Sequence, residues 1–240
     1  MKASIIIPAH NEEKSIVHTL DAVFNQTHPD FEVIVVDNAS ADRTTQVVRD
    51  FARSRMFPVT IVREERKGTM WACESGRLQA IGDVIVRIDA DCLPEPDWLR
   101  KGLKPFYDER VSGVSGPYDY YDVPPSFRKL TLFVQKYIYL FFNWLLRITH
   151  KGGVMIGGNS FMRARAVQSI GGFNTDLIFY GDDTDTAKRM STQGKIHYDP
   201  KLIMKTSGRR FNTEGTIKLS LRYLYHFFSI SILPLKKKRS

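Results

Sequence analysis

The sequence predicts an α/β fold, with a mainly parallel central sheet flanked by helices. Three observations carry that prediction. Short apolar runs alternate with helix-spaced segments through residue 88. The runs are nearly continuous rather than alternating, as in strands buried on both faces. Most of them give way to polar or acidic residues at the carboxyl end, where open parallel sheets gather their ligand groups.

The elements follow in order. Ala3-Ser4-Ile5-Ile6-Ile7-Pro8 reads as a buried strand. Residues 12–26 place Ile16, Val17, Leu20, Val23 and Phe24 at helical spacing. Phe31 to Asp37 is a second strand, and Asp42 stands as the N-cap of a helix over 43–54. Val59 to Val62 is a third strand, 69–80 a helix, and Asp83 to Ile88 a fourth strand. Beyond these come a strand at 111–116 and a long aromatic helix over 127–148. Short helices follow at 164–170 and 182–193, and an amphipathic helix spans 216–233. Glycine pairs at 152–153, 157–158 and 171–172 punctuate the second half.

Composition bounds the function. The 240 residues are 42% apolar and 25% charged, the balance of a folded chain. Two cysteines, Cys73 and Cys92, cannot build a disulfide framework and read as small buried thiols. The opening residues lack the pattern of a signal peptide, and no charge-free run has the length of a membrane span. The net charge of +9 admits nucleic acid, an anionic membrane or a phosphorylated ligand as partner. Four of those charges sit in Lys236-Lys237-Lys238-Arg239, and no aromatic- and arginine-laced binding signature occurs, so nucleic acid is excluded. No Gly-x-x-x-x-Gly-Lys phosphate loop is present.

Three acidic clusters carry the chemistry. Asp89-x-Asp91 closes the fourth strand as a compact negative patch, read either as solvated strand-end aspartates or as a pair awaiting a hard divalent cation. Asp37 follows the second strand, where it either shapes the turn or accepts from a nucleoside. Gly181-Asp182-Asp183-Thr184-Asp185 opens a helix. The helix dipole favours acids there, and crowding them raises a pKa toward the range of a general base. The first three polar strand ends, at Pro8 to Glu12, Asp37-Asn38 and Asp89 to Asp91, fall on one edge of one sheet.

Ser4-Ile5-Ile6-Ile7-Pro8-Ala9-His10-Asn11-Glu12-Glu13, Val35-Val36-Asp37-Asn38-Ala39-Ser40 and Ile88-Asp89-Ala90-Asp91 resemble the opening motifs of family 2 glycosyltransferases, which have the GT-A fold. Gly157-Gly158-Asn159-x-Phe161-x-Arg163, Gly171-Gly172-Phe173-Asn174 and Gly181-Asp182-Asp183-Thr184-Asp185 continue the match, over roughly residues 3–210. The resemblance implies an inverting, metal-dependent transfer of a single sugar from a UDP- or GDP-linked donor to a hydroxyl of a lipid-linked or glycan acceptor. By position, Pro8, Ala9, His10, Glu12, Asp37, Arg77, Asp89 and Ala90 should border the donor. Asp89 and Asp91 should hold Mn²⁺ or Mg²⁺, and Asp183 should be the general base. Gly158, Asn159 and Asp182 should line the sugar and acceptor side. The sequence departs from the family pattern at Glu74, where Asn is common, and at Asp182, where Glu is. No Gln-x-x-Arg-Trp occurs, which points away from processive synthases.

Residues 1–210 then form the GT-A domain, and 211–240 an amphipathic helix with a basic tail. The helices at 127–148 and 216–233 are too polar to span a bilayer and aromatic enough to lie in its interface. A terminal Lys/Arg run adds about 1 kcal/mol per charge near an anionic surface. The expected location is cytoplasmic, peripheral at the inner face of the membrane.

Overall fold

The structure, a computed structural model, describes residues 1–149, 152–177 and 181–232, and within 217–232 only some side chains. The first half winds as strands β1 (Ala3–Ala9), β2 (Phe31–Asn38), β3 (Val59–Glu64) and β4 (Val84–Ile88). They are separated by helices α1 (Ile16–Phe24), α2 (Thr44–Arg55) and α3 (Thr69–Gln79). Helix α4 (Trp98–Leu103) leads into β5 (Val111–Ser115) and the short β6 (Tyr118–Tyr120). Then come α5 (Pro125–Phe133), α6 (Tyr139–Ile148), β7 (Asn159–Arg163), α7 (Ala164–Ser169) and α8 (Asp182–Met190). The described residues finish with β8 (Lys195–Tyr198), β9 (Met204–Thr206), α9 (Arg209–Glu214) and α10 (Thr216–Ile232).

Seven strands form one sheet in the order β3-β2-β1-β4-β7-β5-β8. The pairs among β1 to β4 are parallel, as is β5 with β8, whereas β7 runs antiparallel to both β4 and β5. Strands β6 and β9 pair separately. Alternate residues of β1 feed two cores. Ile5 and Ile7 pack with Leu20 and Val23 of α1, while Ile6 packs with Met70 and Ala72 of α3. That division is the period of two imposed on a strand apolar on both faces. The strand order turns back between β1 and β4, which opens a crevice at their carboxyl ends.

The boundaries differ from the sequence reading in ways with local causes. Helix α2 starts at Thr44, so Asp42 lies one residue outside the cap position, where its Oδ1 accepts from the Thr44 amide at 3.0 Å. The long aromatic helix begins at Pro125 and carries a π-type turn, Val134–Ile138, between α5 and α6. Within that widened turn Gln135 is buried and exchanges two hydrogen bonds with Tyr118 of β6, at 2.9 and 3.0 Å. Helix α8 stops at Met190, short of Gln193. The basic tail at 236–239 lies outside the described residues. Among the described residues no helix is long and apolar enough to cross a membrane.

Candidate active site

The carboxyl ends of β1 and β4 open onto a cavity of about 680 Å³. Strand β1 delivers Pro8, Ala9, His10 and Glu12 to it, and β4 delivers Arg87, Asp89, Ala90 and Asp91. Gly157 and Gly158 enter just before β7, and Gly181, Asp182 and Asp183 enter at the start of α8. Thr206 to Phe211 close one side, with Ser220 and Tyr223 of α10. Phe127, Leu130, Val134 and Tyr139 form an apolar wall.

His10 places Nδ1 2.7 Å from the Asn38 carbonyl. A carbonyl only accepts, so Nδ1 carries the proton. Asn38 in turn receives the Gly68 amide at 2.9 Å and donates to the Glu64 and Arg66 carbonyls, which ties the ends of β1, β2 and β3 together.

The Asp89 carboxylate is set by Tyr118, whose hydroxyl donates to Oδ2 at 2.9 Å, and by Arg87, 4.0 Å from Oδ1. A Cβ on Gly158 would press into both the Asp89 carboxylate and the Tyr118 hydroxyl, so this close approach needs glycine. Asp91 is nearly buried and accepts from the Thr206 hydroxyl at 3.1 Å. Burial, then the neighbouring Asp89 charge, pushes its pKa up to about 6, while Arg209 pulls it back.

Arg87 is the one charge inside the apolar strand β4. Its guanidinium donates to Asp182 Oδ2 at 2.8 Å, so the cation joins the two acidic ends of the cavity. Gly157 leaves it room, since a Cβ there would fall 2.9 Å from the guanidinium carbon. Gly181 precedes α8 at φ +81°, a left-handed turn that glycine adopts without strain. Asp182, Asp183 and Asp185 occupy the first turn of α8, with Lys188 and Arg189 in the last, matching the helix dipole at both ends. Burial and then the adjacent Asp182 charge push Asp183 up to about 7, against the pull of Arg87.

Three expected site residues do not line this cavity. Asp37 is buried behind β1. Burial opposes its charge, but Ser40, Thr45 and Arg63 all donate to it and hold it below the usual carboxylate range. Arg77 is forked onto Glu74 at 2.7 and 2.9 Å. Glu74 also accepts from the Phe173 amide at 2.9 Å, so it braces α3 against the loop after α7. The Asn159 side chain is fully buried, bonded to the Trp98 indole and to the Pro117 and Leu202 carbonyls. It pins the loops around the site rather than facing it. Cys73 and Cys92 are buried, and burial raises both thiols, Cys73 to about 12, which suits packing and not nucleophilic chemistry.

Among the described residues no group of three or more His, Cys, Asp or Glu gathers as a metal cage. Asp89 and Asp91 nevertheless fit a hard divalent cation of the kind that takes one or two carboxylates and completes its shell with water and phosphate oxygens. The nearly buried Asp91, crowded by Asp89 and Glu12, has the excess negative charge such a cation relieves.

The profile of glycosyl transferase family 2 matches residues 4–171. Glycosyltransferase AglE of Haloferax volcanii is 29% identical over 193 residues, 80% of this chain and 62% of that protein. The probable glycosyltransferase YdaM of Bacillus subtilis is 30% identical over 84% of this chain and 50% of its own length. The chain thus spans about half to three fifths of the relatives it matches. The mannosyltransferase PcManGT of Pyrobaculum calidifontis, solved with GDP-Man and Mn²⁺, superposes with a TM-score of 0.74 at 26% identity. That match covers 95% of this chain and 63% of that one. TarS of Staphylococcus aureus with UDP has the same fold, at a TM-score of 0.65 and 20% identity over 91% of this chain and 64% of its own. The fold is GT-A. A profile match over most of the chain, on top of the strand-end motifs and their shared cavity, leads to one conclusion: the chain belongs to glycosyl transferase family 2.

Proposed function

We propose that this chain transfers a single sugar, with inversion, from a UDP- or GDP-linked donor to a hydroxyl of a lipid-linked or glycan acceptor. One observation carries the reading: Asp183, with its raised pKa, and the Asp89-x-Asp91 pair open onto the same cavity. Mannosyltransferase PcManGT, with GDP-Man and Mn²⁺, supports both a nucleotide-sugar donor and a metal.

The nucleoside lies along Pro8, Ala9 and His10, with Asp37 and Arg77 supporting that end from behind. Asp89 and Asp91 hold Mn²⁺ or Mg²⁺, which supplies Lewis-acid stabilisation of the departing diphosphate. Asp183 accepts the proton of the acceptor hydroxyl as that oxygen attacks the anomeric carbon from the face opposite the diphosphate. Arg87 holds Asp182 and so fixes the start of α8, which keeps Asp183 on line. Gly158 gives Asp89 its position, and Asn159 fixes the loop beside it.

Residues 1–210 are the catalytic unit in this reading. Phe211, Ser220 and Tyr223 close the acceptor side, and the segment 211–240, with its basic tail, meets the membrane from the cytoplasmic face. Residues 125–148 support that contact. They hold no acid, carry Arg128, Lys129, Lys136 and Arg147, and expose Phe133, Tyr137, Leu140, Phe141 and Trp144. A panel of UDP- and GDP-sugars, with and without Mn²⁺, scored by released nucleoside diphosphate and by the anomeric configuration of the product, tests the reaction. Donor binding without turnover toward any acceptor, or a retained configuration, overturns it.

A further inference from the structure

The cavity contains a cation supplied by the chain itself. Arg209 opens α9 and reaches back to the end of β1, where Nη1 donates to Glu12 Oε2 at 2.9 Å and Nη2 to Oε1. The same Nη2 lies 3.6 Å from Asp91 Oδ2. The Glu12 and Asp91 side chains are 10% and 11% exposed, and that of Arg209 is 52% exposed. Two nearly buried carboxylates from different strand ends therefore share one half-exposed guanidinium. The turn before Arg209 is built to aim it. Asp122 accepts from the Ser207 hydroxyl and the Gly208 amide, and the Lys205 carbonyl accepts the Leu93 amide at 2.8 Å.

The two contacts of Arg209 are unequal. Its grip on Glu12 is a charge-assisted fork, whereas 3.6 Å to Asp91 is beyond hydrogen-bond range. A divalent cation held by Asp91 would repel the guanidinium from that edge, and the Glu12 fork would still anchor it. We propose that Arg209 is the resident counter-charge of Asp91, yields that carboxylate to the divalent cation, and presents its half-exposed edge to the diphosphate of the donor while still forked on Glu12. This rests on the donor reading above. Arginine suits the task because a planar guanidinium can hold a carboxylate with one edge and keep further N–H donors for phosphate oxygens. Glu12 is then a positioning residue.

Titration calorimetry of the full chain and of Arg209→Gln and Arg209→Lys tests this, first with Mn²⁺ alone, then with GDP, UDP, guanosine and uridine in the presence of Mn²⁺. Arg209→Gln should bind Mn²⁺ alone several-fold more tightly. It should lose about tenfold of the preference for nucleoside diphosphate over nucleoside, the worth of a charge-assisted contact. Arg209→Lys should fall between the two, and it decides the same ratio if the Gln variant fails to fold. An unchanged diphosphate preference, or Mn²⁺ binding weakened by loss of Arg209, overturns the proposal and leaves Arg209 a latch for the C-terminal segment. A wild-type chain that binds neither nucleotide overturns the donor reading itself, and this inference with it.

Discussion

Asp183→Asn separates the two consequences of burying a carboxylate beside another. With Asp183 raised to about 7 by burial and by Asp182, roughly a tenth of wild-type molecules carry the base form at pH 6 and roughly nine tenths at pH 8. Turnover should therefore climb about tenfold over that interval, and the Asn variant should lose about 10²–10⁴ in kcat with donor affinity retained. Stability moves the other way. A carboxylate whose folded pKa exceeds its unfolded value of 3.8 makes the folded chain bind more protons than the unfolded chain across that window. Stability is then greatest on the acid side and declines as pH rises from about 4 to about 7. At about 1.4 kcal/mol per unit, a shift of roughly three units sets a ceiling near 4 kcal/mol. Asn carries no charge, so Asp183→Asn should be about 1–3 kcal/mol more stable than wild type at pH 8 and equal to it at pH 4. Urea unfolding at the two pH values, with kcat from pH 6 to 9, reads both effects. A variant with near-normal turnover, or one less stable at both pH values, would refute the assignment.

Other perturbations follow from the same geometry. Gly158→Ala should weaken Mn²⁺-supported turnover by about tenfold or more, because the added methyl displaces the Asp89 carboxylate from Tyr118. Tyr118→Phe, which removes the hydroxyl that holds Asp89, should lower the same activity in the same assay without any clash; full activity in it would take Tyr118 out of the argument. Chelation of divalent ions should abolish release of nucleoside diphosphate, with Mn²⁺ restoring it; activity that persists in chelator would exclude the Asp89–Asp91 role. Replacing exposed Leu140, Phe141 and Trp144 by Ser should cut pelleting with anionic vesicles several-fold while leaving the unfolding transition in place. Equal pelleting of variant and wild type would remove this face from the membrane contact.

The legible part of the chain is the part whose signal is local. Strand-end motifs after β1 and β4 could be read because a buried parallel strand is a continuous apolar run, and its end is visible as the first polar residues. Asp89, Asp91 and Glu12 were found that way and Asp183 from the run of acids that opens α8, and all of them line the cavity. Arg87, Tyr118, Thr206 and Arg209 were not. Arg87 left a trace, since a lone charge inside an apolar strand requires a partner, but the partner, Asp182, lies 95 residues away. Tyr118 and Arg209 left none, because a lone aromatic or basic residue in a three-residue strand or a six-residue helix has no period to betray its direction. Asn159 and Arg77 show the converse. Their motifs are in place, yet their side chains are taken up by bonds to the loops and to Glu74.

By itself, the sequence determined the α/β class, the mainly parallel half of the sheet, the family and the acidic strand ends, since each is written in contiguous residues and their period. Tertiary structure alone decided which carboxylates face one cavity. It also decided that Arg87 and Arg209 each bring a cation to that cavity's carboxylates, and that the apolar wall of α5 has an exposed face behind it. The physical reason is distance along the chain. Charges from β1, β4, α8 and α9 act on one another only where the fold brings them within a few ångströms, and no local spacing encodes that approach.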